Sequence, residues 1–251
     1  MPRLDGADVE THTLAGSNFT FTGARIGSLG ATEYTLVDIE VDMSSSVDAF
    51  RGDLIMMIET AIDACRKSPR SDNLLVRVAA FSSRYPKGVS EIHGFIPLAD
   101  IDPSVYQNLQ PGGMTPLIAG CYMGIGATAA YGKALTDQDY LANGITFTIT
   151  DGEENASGPI TAQMVMDEIA KAKRSEYLES HVSVLIGINA AGSARALAHF
   201  QSSLGITQFI DAGDATKGKL AKLANFVSQS ISSTSQAIGT GGPSQSIAAT
   251  V

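Results

Sequence analysis

The sequence predicts an α/β fold, a doubly wound and mostly parallel β-sheet with helices on both faces and one antiparallel edge strand. Apolar runs of strand length alternate with longer segments whose apolar residues recur at helical spacing, which is typical of repeated βαβ units. One connection, at residues 86–88, is too short for a parallel crossover, so the strands it joins should be antiparallel. The 251 residues, 44% of them hydrophobic and 17% charged, suit one sizeable globular domain.

The first half of the chain contains the first helix and three strands. An apolar run at 34–42 predicts a strand, and the spacing of Phe50, Leu54 and Ile58 predicts a helix over 47–65. Two further apolar runs, at 74–81 and 89–96, predict the next two strands. Upstream, residues 19–26 predict an extra strand or hairpin.

The second half alternates helices with strands. Pro116 suits a first helical turn, so a helix rich in small residues should run from there to about residue 135. The pair Asn143–Gly144 predicts a turn before a strand at 145–150. The remaining predicted elements follow in order: helix 159–178, strand 181–188, helix 193–204, strand 206–210 and helix 216–231.

These elements divide the chain into three predicted parts. Residues 1–33 form an N-terminal extension, residues 34–231 the α/β domain, and residues 232–251 a flexible tail rich in Ser and Gly.

Charge and cysteine content restrict the compartment and the partners. A net charge of −9 and a pI of about 4.8 disfavour nucleic acid, whose phosphates an acidic surface repels. Cys65 and Cys121 form no CxxC pair, which predicts two reduced thiols. The N-terminal residues lack the apolar core of a signal peptide, and no apolar run approaches the ~20 residues of a membrane-spanning helix. We therefore expect a cytoplasmic protein without membrane contact.

Oxygen-bearing side chains occur at three junctions between a strand or loop and a helix. Asp42 ends the strand 34–42, and Ser44 and Ser46 follow it. Thr115 precedes the helix at Pro116, and Asp151 directly follows the strand 145–150. Ligands of open parallel sheets bind beyond the carboxyl ends of the strands. Oxygen donors suit a hard cation such as Mg²⁺ or Ca²⁺. Isolated Ser, Thr and Asp residues at such places usually cap helices, but a set of five favours a metal.

This pattern resembles the metal-ion-dependent adhesion site (MIDAS) of von Willebrand factor type A (VWA) domains. The match is Asp-x-Ser-x-Ser, a distant Thr and Asp-Gly after an apolar strand, and it covers roughly residues 34–231. The family has Gly between the two serines, where this chain has Ser45. The phrases GGMTPL and ITDGEEN are most similar to bacterial cytoplasmic VWA proteins of the tellurite-resistance type.

The resemblance implies a role for each residue. Ser44 and Ser46 would bind the metal directly, Thr115 directly or through water, and Asp42 and Asp151 mostly through water. The ion would be Mg²⁺, with Ca²⁺ or Mn²⁺ as alternatives. A protein partner would supply an Asp or Glu to the metal, which implies a protein-binding module in a bacterial or phage assembly, stress-response or defence system.

Two other functions stay open at this point. In the first, the chain is a structural subunit of a virion or filament that assembles through its termini, and the metal only stabilises loops. In the second, it is a Mg²⁺-dependent phosphohydrolase, which is disfavoured because no nucleophilic carboxylate stands beside a second acid, so we expect no enzymatic activity.

Four other acidic residues have ordinary interpretations. Asp38 and Glu40 would share one face of the first strand under a helix, where they could form a second acidic site or a partner contact. We favour pairing with Arg77 or a histidine, or a face left open by a thin cover. Glu153 and Glu154 are expected to lie in a solvated loop.

Overall fold

A computed structural model describes residues 8–174, 176–214 and 216–240. Its eight strands form one sheet. The strands are β1 (Val9–Thr13), β2 (Thr20–Ala24), β3 (Glu33–Asp42), β4 (Leu74–Phe81), β5 (Val89–Pro97), β6 (Leu141–Thr150), β7 (Ser180–Gly187) and β8 (Gln208–Asp211).

Five α-helices connect or follow these strands. The helices are α1 (Arg51–Arg66), α2 (Leu117–Thr136), α3 (Ala162–Ala172), α4 (Ala194–Leu204) and α5 (Lys217–Thr240). A short 3₁₀ segment, Ser45–Phe50, leads from β3 into α1. Thr161 caps the start of α3, because its hydroxyl accepts a hydrogen bond from the Met164 N–H.

The strand order is β1-β2-β5-β4-β3-β6-β7-β8. The sheet is mostly parallel, and the pairs β4–β5 and β1–β2 are antiparallel. The predicted fold class is therefore confirmed. The strand expected at the edge, β5, is instead covered by the hairpin β1–β2, because residues 8–24 continue the sheet on that side.

Two apolar cores lie on opposite faces of the sheet. Helices α1 and α5 pack on one face, and α2, α3 and α4 pack on the other. Along β3 the side chains alternate between these faces. Val37, Ile39 and Val41 belong to the first core, whereas Asp38 and Glu40 lie on the face that α2 covers.

Several boundaries differ from the prediction, and helix α3 ends at Ala172, six residues before the predicted end at residue 178. Two other differences concern β6 and α5. Asn143–Gly144 is not a turn but part of β6, where Gly144 is needed because a Cβ there would lie 2.6 Å from the Thr128 methyl carbon. Helix α5 continues past 231 to Thr240, and its Thr234 carbonyl accepts a hydrogen bond of 3.0 Å from the Asn143 side chain. Residues 232–240 of the predicted tail are thus helical, and residues 241–251 lie outside the described residues. The division at residue 33 stays a prediction.

A buried ionic cluster lies between β3, β4 and β5. Arg77 Nη1 donates to Asp38 Oδ1 and to Glu40 Oε1, both at 2.6 Å, and Arg77 Nε donates to Glu91 Oε2 at 2.8 Å. Arg77, Asp38 and Glu40 are fully buried. The expected pairing of Asp38 and Glu40 with Arg77 is confirmed, and Glu91 is a third partner that the sequence did not indicate.

Candidate metal centre

The turn after β3 holds three of the five predicted site residues together. The Ser44 N–H donates to Asp42 Oδ1 at 2.8 Å, and the hydroxyl oxygens of Ser44 and Ser46 lie 3.0 Å apart. Asp42 and Ser44 are buried, whereas Ser46 is exposed. The site thus has a buried acid at its base and a hydroxyl at its surface.

Asp151, at the end of β6, joins this group from the neighbouring strand. The Ser46 hydroxyl donates to Asp151 Oδ1 at 2.8 Å. Thr150, which the sequence analysis did not single out, donates its hydroxyl to Asp42 Oδ2 at 2.7 Å. Hydrogen bonds therefore link Asp42, Ser44, Ser46 and Asp151 in one continuous chain.

Thr115 lies in a loop that is bound to the same turn. The Ser45 N–H donates to the Gly113 carbonyl at 3.0 Å, and the Gly112 N–H donates to the Met43 carbonyl at 2.9 Å. Gly113 has a φ of +77°, and a Cβ there would lie 2.6 Å from Ser83 Oγ, so this loop requires glycine. The loop that carries Thr115 is thereby held beside Ser44 and Ser46.

The loop after Asp151 fixes Thr115 from the other side. The Thr115 N–H donates to Asn155 Oδ1 at 2.8 Å, and the Asn155 N–H donates to the Thr115 carbonyl at 3.0 Å. Glu154 accepts hydrogen bonds of 2.7 Å from the N–H groups of Ile118, Ala156 and Ser157. The expectation of a solvated Glu154 is therefore wrong, because its carboxylate caps the first turn of α2; Glu153 is exposed as expected.

The sequence carried no clear signal for these supporting residues. Thr150, Glu154 and Asn155 act through hydrogen bonds to residues that are far away along the chain. The only feature of the sequence that indicated a role at the site for these three residues was their closeness to the Asp-Gly pair at 151–152.

The two site carboxylates, on Asp42 and Asp151, are buried and half-buried respectively. Burial raises the pKa of Asp42 to about 6, and Asp151 adds to the rise, although hydrogen bonds from Thr150 and Ser44 oppose it. Burial also raises the pKa of Asp151, against a hydrogen bond from Ser46. Within the described part of the chain, neither carboxylate forms an ion pair. The site therefore has negative charge that a cation would neutralise.

The spacing of the oxygens fits a small octahedral cation. Ligands at the Mg–O distance of 2.0–2.1 Å stand about 3 Å apart when they are adjacent in an octahedron. The hydroxyl oxygens of Ser44 and Ser46, the two expected direct ligands, lie 3.0 Å apart, which matches that value. Among the described residues, no group of three or more His, Cys, Asp and Glu side chains is suited to a metal, so any ion here depends on hydroxyl ligands.

Ser45, which replaces the usual glycine, fits the turn without strain. It is exposed and is not among the non-glycine residues with positive φ, which in the described part of the chain are Lys87, Asp139 and Asn189. The departure from the family pattern thus has no conformational cost.

Comparisons with known proteins identify the fold. No protein-family model matches the sequence, and no curated protein matches it. Among solved structures, a von Willebrand factor type A protein from Catenulispora acidiphila has a TM-score of 0.53 at 14% identity over 90% of this chain. The vWF domain of the type V pili tip protein Mfa5 from Porphyromonas gingivalis has a TM-score of 0.54 at 13% identity over 87% of this chain. The chain has the von Willebrand factor type A fold.

A third structural neighbour was solved with metal. Proximal thread matrix protein 1 from the mussel byssus, described with a zinc-occupied MIDAS motif, has a TM-score of 0.51 at 17% identity over 80% of this chain. The chain covers 99% of the Mfa5 vWF domain, but only 45% of the Catenulispora protein and 46% of the byssus protein. The similarity to the tellurite-resistance type stays a prediction.

Two observations bear on compartment. None of the helices in the described part of the chain is long and apolar enough to cross a membrane. Cys65 and Cys121 are buried free thiols, as predicted. A cytoplasmic location stays a prediction.

Proposed function

We propose that this VWA-type domain is a metal-dependent protein-binding module. It holds one Mg²⁺ through Asp42, Ser44, Ser46, Thr115 and Asp151 and binds a protein partner through an Asp or Glu of that partner. The observation that carries the proposal is the continuous hydrogen-bonded chain from Asp42 to Asp151. Neither of these two carboxylates forms an ion pair with any residue that the structure describes.

Each residue has a distinct part in this proposal. The Ser44 and Ser46 hydroxyls bind the cation directly, and Thr115 binds directly or through water. Asp42 and Asp151 bind through water, balance charge and orient the hydroxyls. Because the direct ligands are uncharged, the bound cation supplies an electron-poor coordination position that attracts an outside carboxylate.

The choice of Mg²⁺ follows from the donors. All five residues offer oxygen, which favours hard cations, and the oxygen spacing of about 3 Å suits Mg²⁺ better than the larger Ca²⁺. Mn²⁺ and Ca²⁺ are the alternatives. The zinc-occupied MIDAS of the byssus protein supports a divalent ion on this fold.

The setting and the absence of catalysis are parts of the same proposal. We assign the module to a cytoplasmic bacterial or phage assembly, stress-response or defence system, with no nucleic acid or membrane partner. It is not an enzyme, since the two acids of the site bind hydroxyls instead of standing as a nucleophile and a proton donor. Hydrolysis of a generic phosphoester such as p-nitrophenyl phosphate in the presence of Mg²⁺ would contradict the proposed lack of enzymatic activity.

Calorimetric titration of the full chain with MgCl₂ tests the metal site. We expect one binding event, which Asp151→Asn weakens about 10- to 100-fold because the acid that orients Ser46 is lost. Ser46→Ala should also weaken it, and its exposed position makes unfolding improbable as a cause. Asp48→Ala removes an exposed acid from the same turn and is the control. No heat with Mg²⁺, Mn²⁺ or Ca²⁺ would contradict the proposal.

The structural-subunit alternative predicts a different result. An assembly held by its termini should lose its oligomers when residues 241–251 are deleted and keep them in Asp151→Asn. Deletion of residues 1–25 is unsuitable, because it removes the buried core residues Leu14 and Phe21. Light scattering of both variants separates the two functions.

A further inference from the structure

An open groove lies beside the candidate metal centre. It has a volume of about 570 Å³ between the loop that follows Asp151 and helix α4. Its floor is apolar and consists of Leu117, Leu197 and the half-buried Phe200. A cavity of this size with an apolar floor is large enough for one or two side chains of a partner.

The groove begins where the metal centre ends. Leu117 lies two residues after Thr115, and Glu153 lies two residues after Asp151. Two residues span at most about 7 Å, so a short peptide can contact both places. Met114, in the same loop as Thr115, is 55% exposed, which adds an apolar surface to this edge of the sheet.

The charges of the groove differ from those of the whole chain. Arg195 and His199 lie one turn apart on α4, and both are exposed in a protein of net charge −9. Within the described residues, Arg195 forms no ion pair. Glu153 is the exposed acid of the opposite wall, and the half-buried Glu154 also lines that wall. The Glu154 carboxylate already accepts hydrogen bonds from three main-chain N–H groups, which leaves Glu153 as the free acid there. The α4 wall therefore favours an acidic group, and the Glu153 wall disfavours one.

We propose that this groove binds the same partner segment that supplies the metal-bound carboxylate, through a large apolar side chain on the floor and a second acidic side chain at Arg195. The inference rests on the proposed function, because the metal fixes the first carboxylate. The groove specifies the composition of the partner further than the metal alone does. The partner segment is extended and acidic, and it has an aromatic or large aliphatic residue a few positions from the metal-binding acid.

Selection from a phage-displayed library of random dodecapeptides tests this composition. The full chain is immobilised in MgCl₂, and bound phage are eluted with EDTA, which recovers only metal-dependent binders. We expect the eluted peptides to combine two acidic residues with an aromatic or large aliphatic one. The most enriched peptide is then synthesised with a fluorescent label, and its affinity is measured by anisotropy.

Variants that change the charges of the groove test whether it favours an acidic peptide. Arg195→Glu should weaken the binding of the peptide about tenfold. Replacing the apolar residue of the peptide by Ala should weaken it by a similar factor. Glu153→Gln should strengthen the binding or leave it unchanged. Lys222→Glu makes the same charge change on an exposed position of α5 and should have little effect. Both groove charges are exposed, so these variants should fold.

The outcomes separate this inference from the proposed function. Absence of EDTA-eluted binders would contradict both. Metal-dependent peptides that lack the apolar residue or the second acid, or that bind Arg195→Glu as well as the unsubstituted chain, would overturn the groove assignment alone. Weaker binding to Glu153→Gln together with stronger binding to Arg195→Glu would indicate a basic occupant and would also overturn it.

Discussion

Arg77 interacts with more negative charge than one guanidinium can balance. Its partners Asp38 and Glu40 are fully buried, and each has one carboxylate oxygen that accepts no hydrogen bond from the residues described by the structure. Burial raises the pKa of both acids, although Arg77 opposes the rise. The alternation of acids and apolar residues on β3 predicted this pairing. Glu91 escaped prediction because only the antiparallel register of β5 brings it to Arg77.

Removing the guanidinium should therefore destabilise the fold strongly. We expect Arg77→Met to lower the free energy of unfolding by about 3–5 kcal/mol, because it leaves buried carboxylates unpaired. Glu40→Gln keeps an oxygen for Arg77 Nη1 and removes one excess charge, so its effect should stay within about 1 kcal/mol. Urea denaturation of both variants measures the difference. Equal stability of Arg77→Met and the unsubstituted chain would refute the assigned role of Arg77.

His181 should make stability depend on pH. Burial lowers the pKa of His181 to about 4, and Lys173 adds to the decrease. The unfolded chain, with an ordinary histidine pKa near 6.5, therefore binds more protons than the folded chain between these values. Stability present above pH ~6.5 should be lost as the pH falls toward 4, with a slope of up to ~1.4 kcal/mol per pH unit.

Chemical denaturation at several pH values measures that slope. His181→Gln should lack it, so the stability difference between variant and unsubstituted chain should change across the window. His199→Gln alters an exposed histidine on α4 and is the control. Parallel pH profiles for His181→Gln and the unsubstituted chain would count against the assignment.

At the scale of elements, helix α2 is rich in small residues because it lies close to the acids of β3. A Cβ on Gly124 would lie 2.3 Å from Asp38 Oδ2 and 2.7 Å from Glu40 Cγ. Gly52, near the start of α1, has open space around it. The same substitution should therefore have opposite effects in the two helices.

Gly124→Ala should destabilise the fold by about 1–3 kcal/mol, because the methyl group overlaps buried atoms. Gly52→Ala should stabilise it by up to ~1 kcal/mol, because alanine favours a helix. Thermal unfolding in parallel measures both. A stabilising Gly124→Ala would show that α2 does not lie as close to β3 as the structure has it.

Glu154 joins helix α2 to the loop of Asp151. Its carboxylate accepts the Ile118 N–H, and its neighbour Asn155 binds the Thr115 main chain on both sides. Glu154→Gln turns one acceptor oxygen into a donor, so Thr115 should lose its fixed position and Mg²⁺ affinity should fall about tenfold. Calorimetric titration measures the affinity, and Glu153→Gln is the adjacent control. Equal affinities of the two variants would refute this role.

The boundaries of elements were less predictable than their order. The pair Asn143–Gly144 has the composition of a turn, yet Gly144 lies in β6 because Thr128 and His181 leave no room for a side chain. Ser-rich residues 232–235 indicated a flexible tail, yet Thr234 and Ser235 are buried. Both differences depend on contacts between residues far apart in sequence, which a local pattern does not contain.

At the scale of the whole molecule, the βαβ alternation predicted the sheet, and the sheet predicted the meeting of the site residues. Parallel strands end at one edge, so Asp42 at the end of β3 and Asp151 just after β6 had to be neighbours once those strands paired. Thr115 was harder to place, because the long connection from β5 to α2 has no regular pattern. Its position depends on glycines and on main-chain bonds to Met43 and Ser45.

A bound cation should stabilise the whole fold. Mg²⁺ at about 100 times its Kd should raise the free energy of unfolding by about 2.7 kcal/mol, because it binds the folded chain alone. For a domain of this size that corresponds to a Tm increase of several degrees. Differential scanning calorimetry with MgCl₂ and with EDTA measures it, and Asp151→Asn should show a smaller shift. An unchanged Tm would argue against a site that spans β3 and β6.

The hairpin β1–β2 joins the sheet in an unusual way. Its register with β5 includes one residue pair, Gly23 and Phe95, and next to that pair the Glu91 carboxylate accepts the Thr22 N–H. The Glu91 side chain thus accepts the Thr22 N–H in place of the main-chain carbonyl that would accept it in a regular strand pair. We expect the hairpin to shield the β5 margin from other chains, because an uncovered strand invites aggregation, while remaining the section of the sheet that separates first under stress.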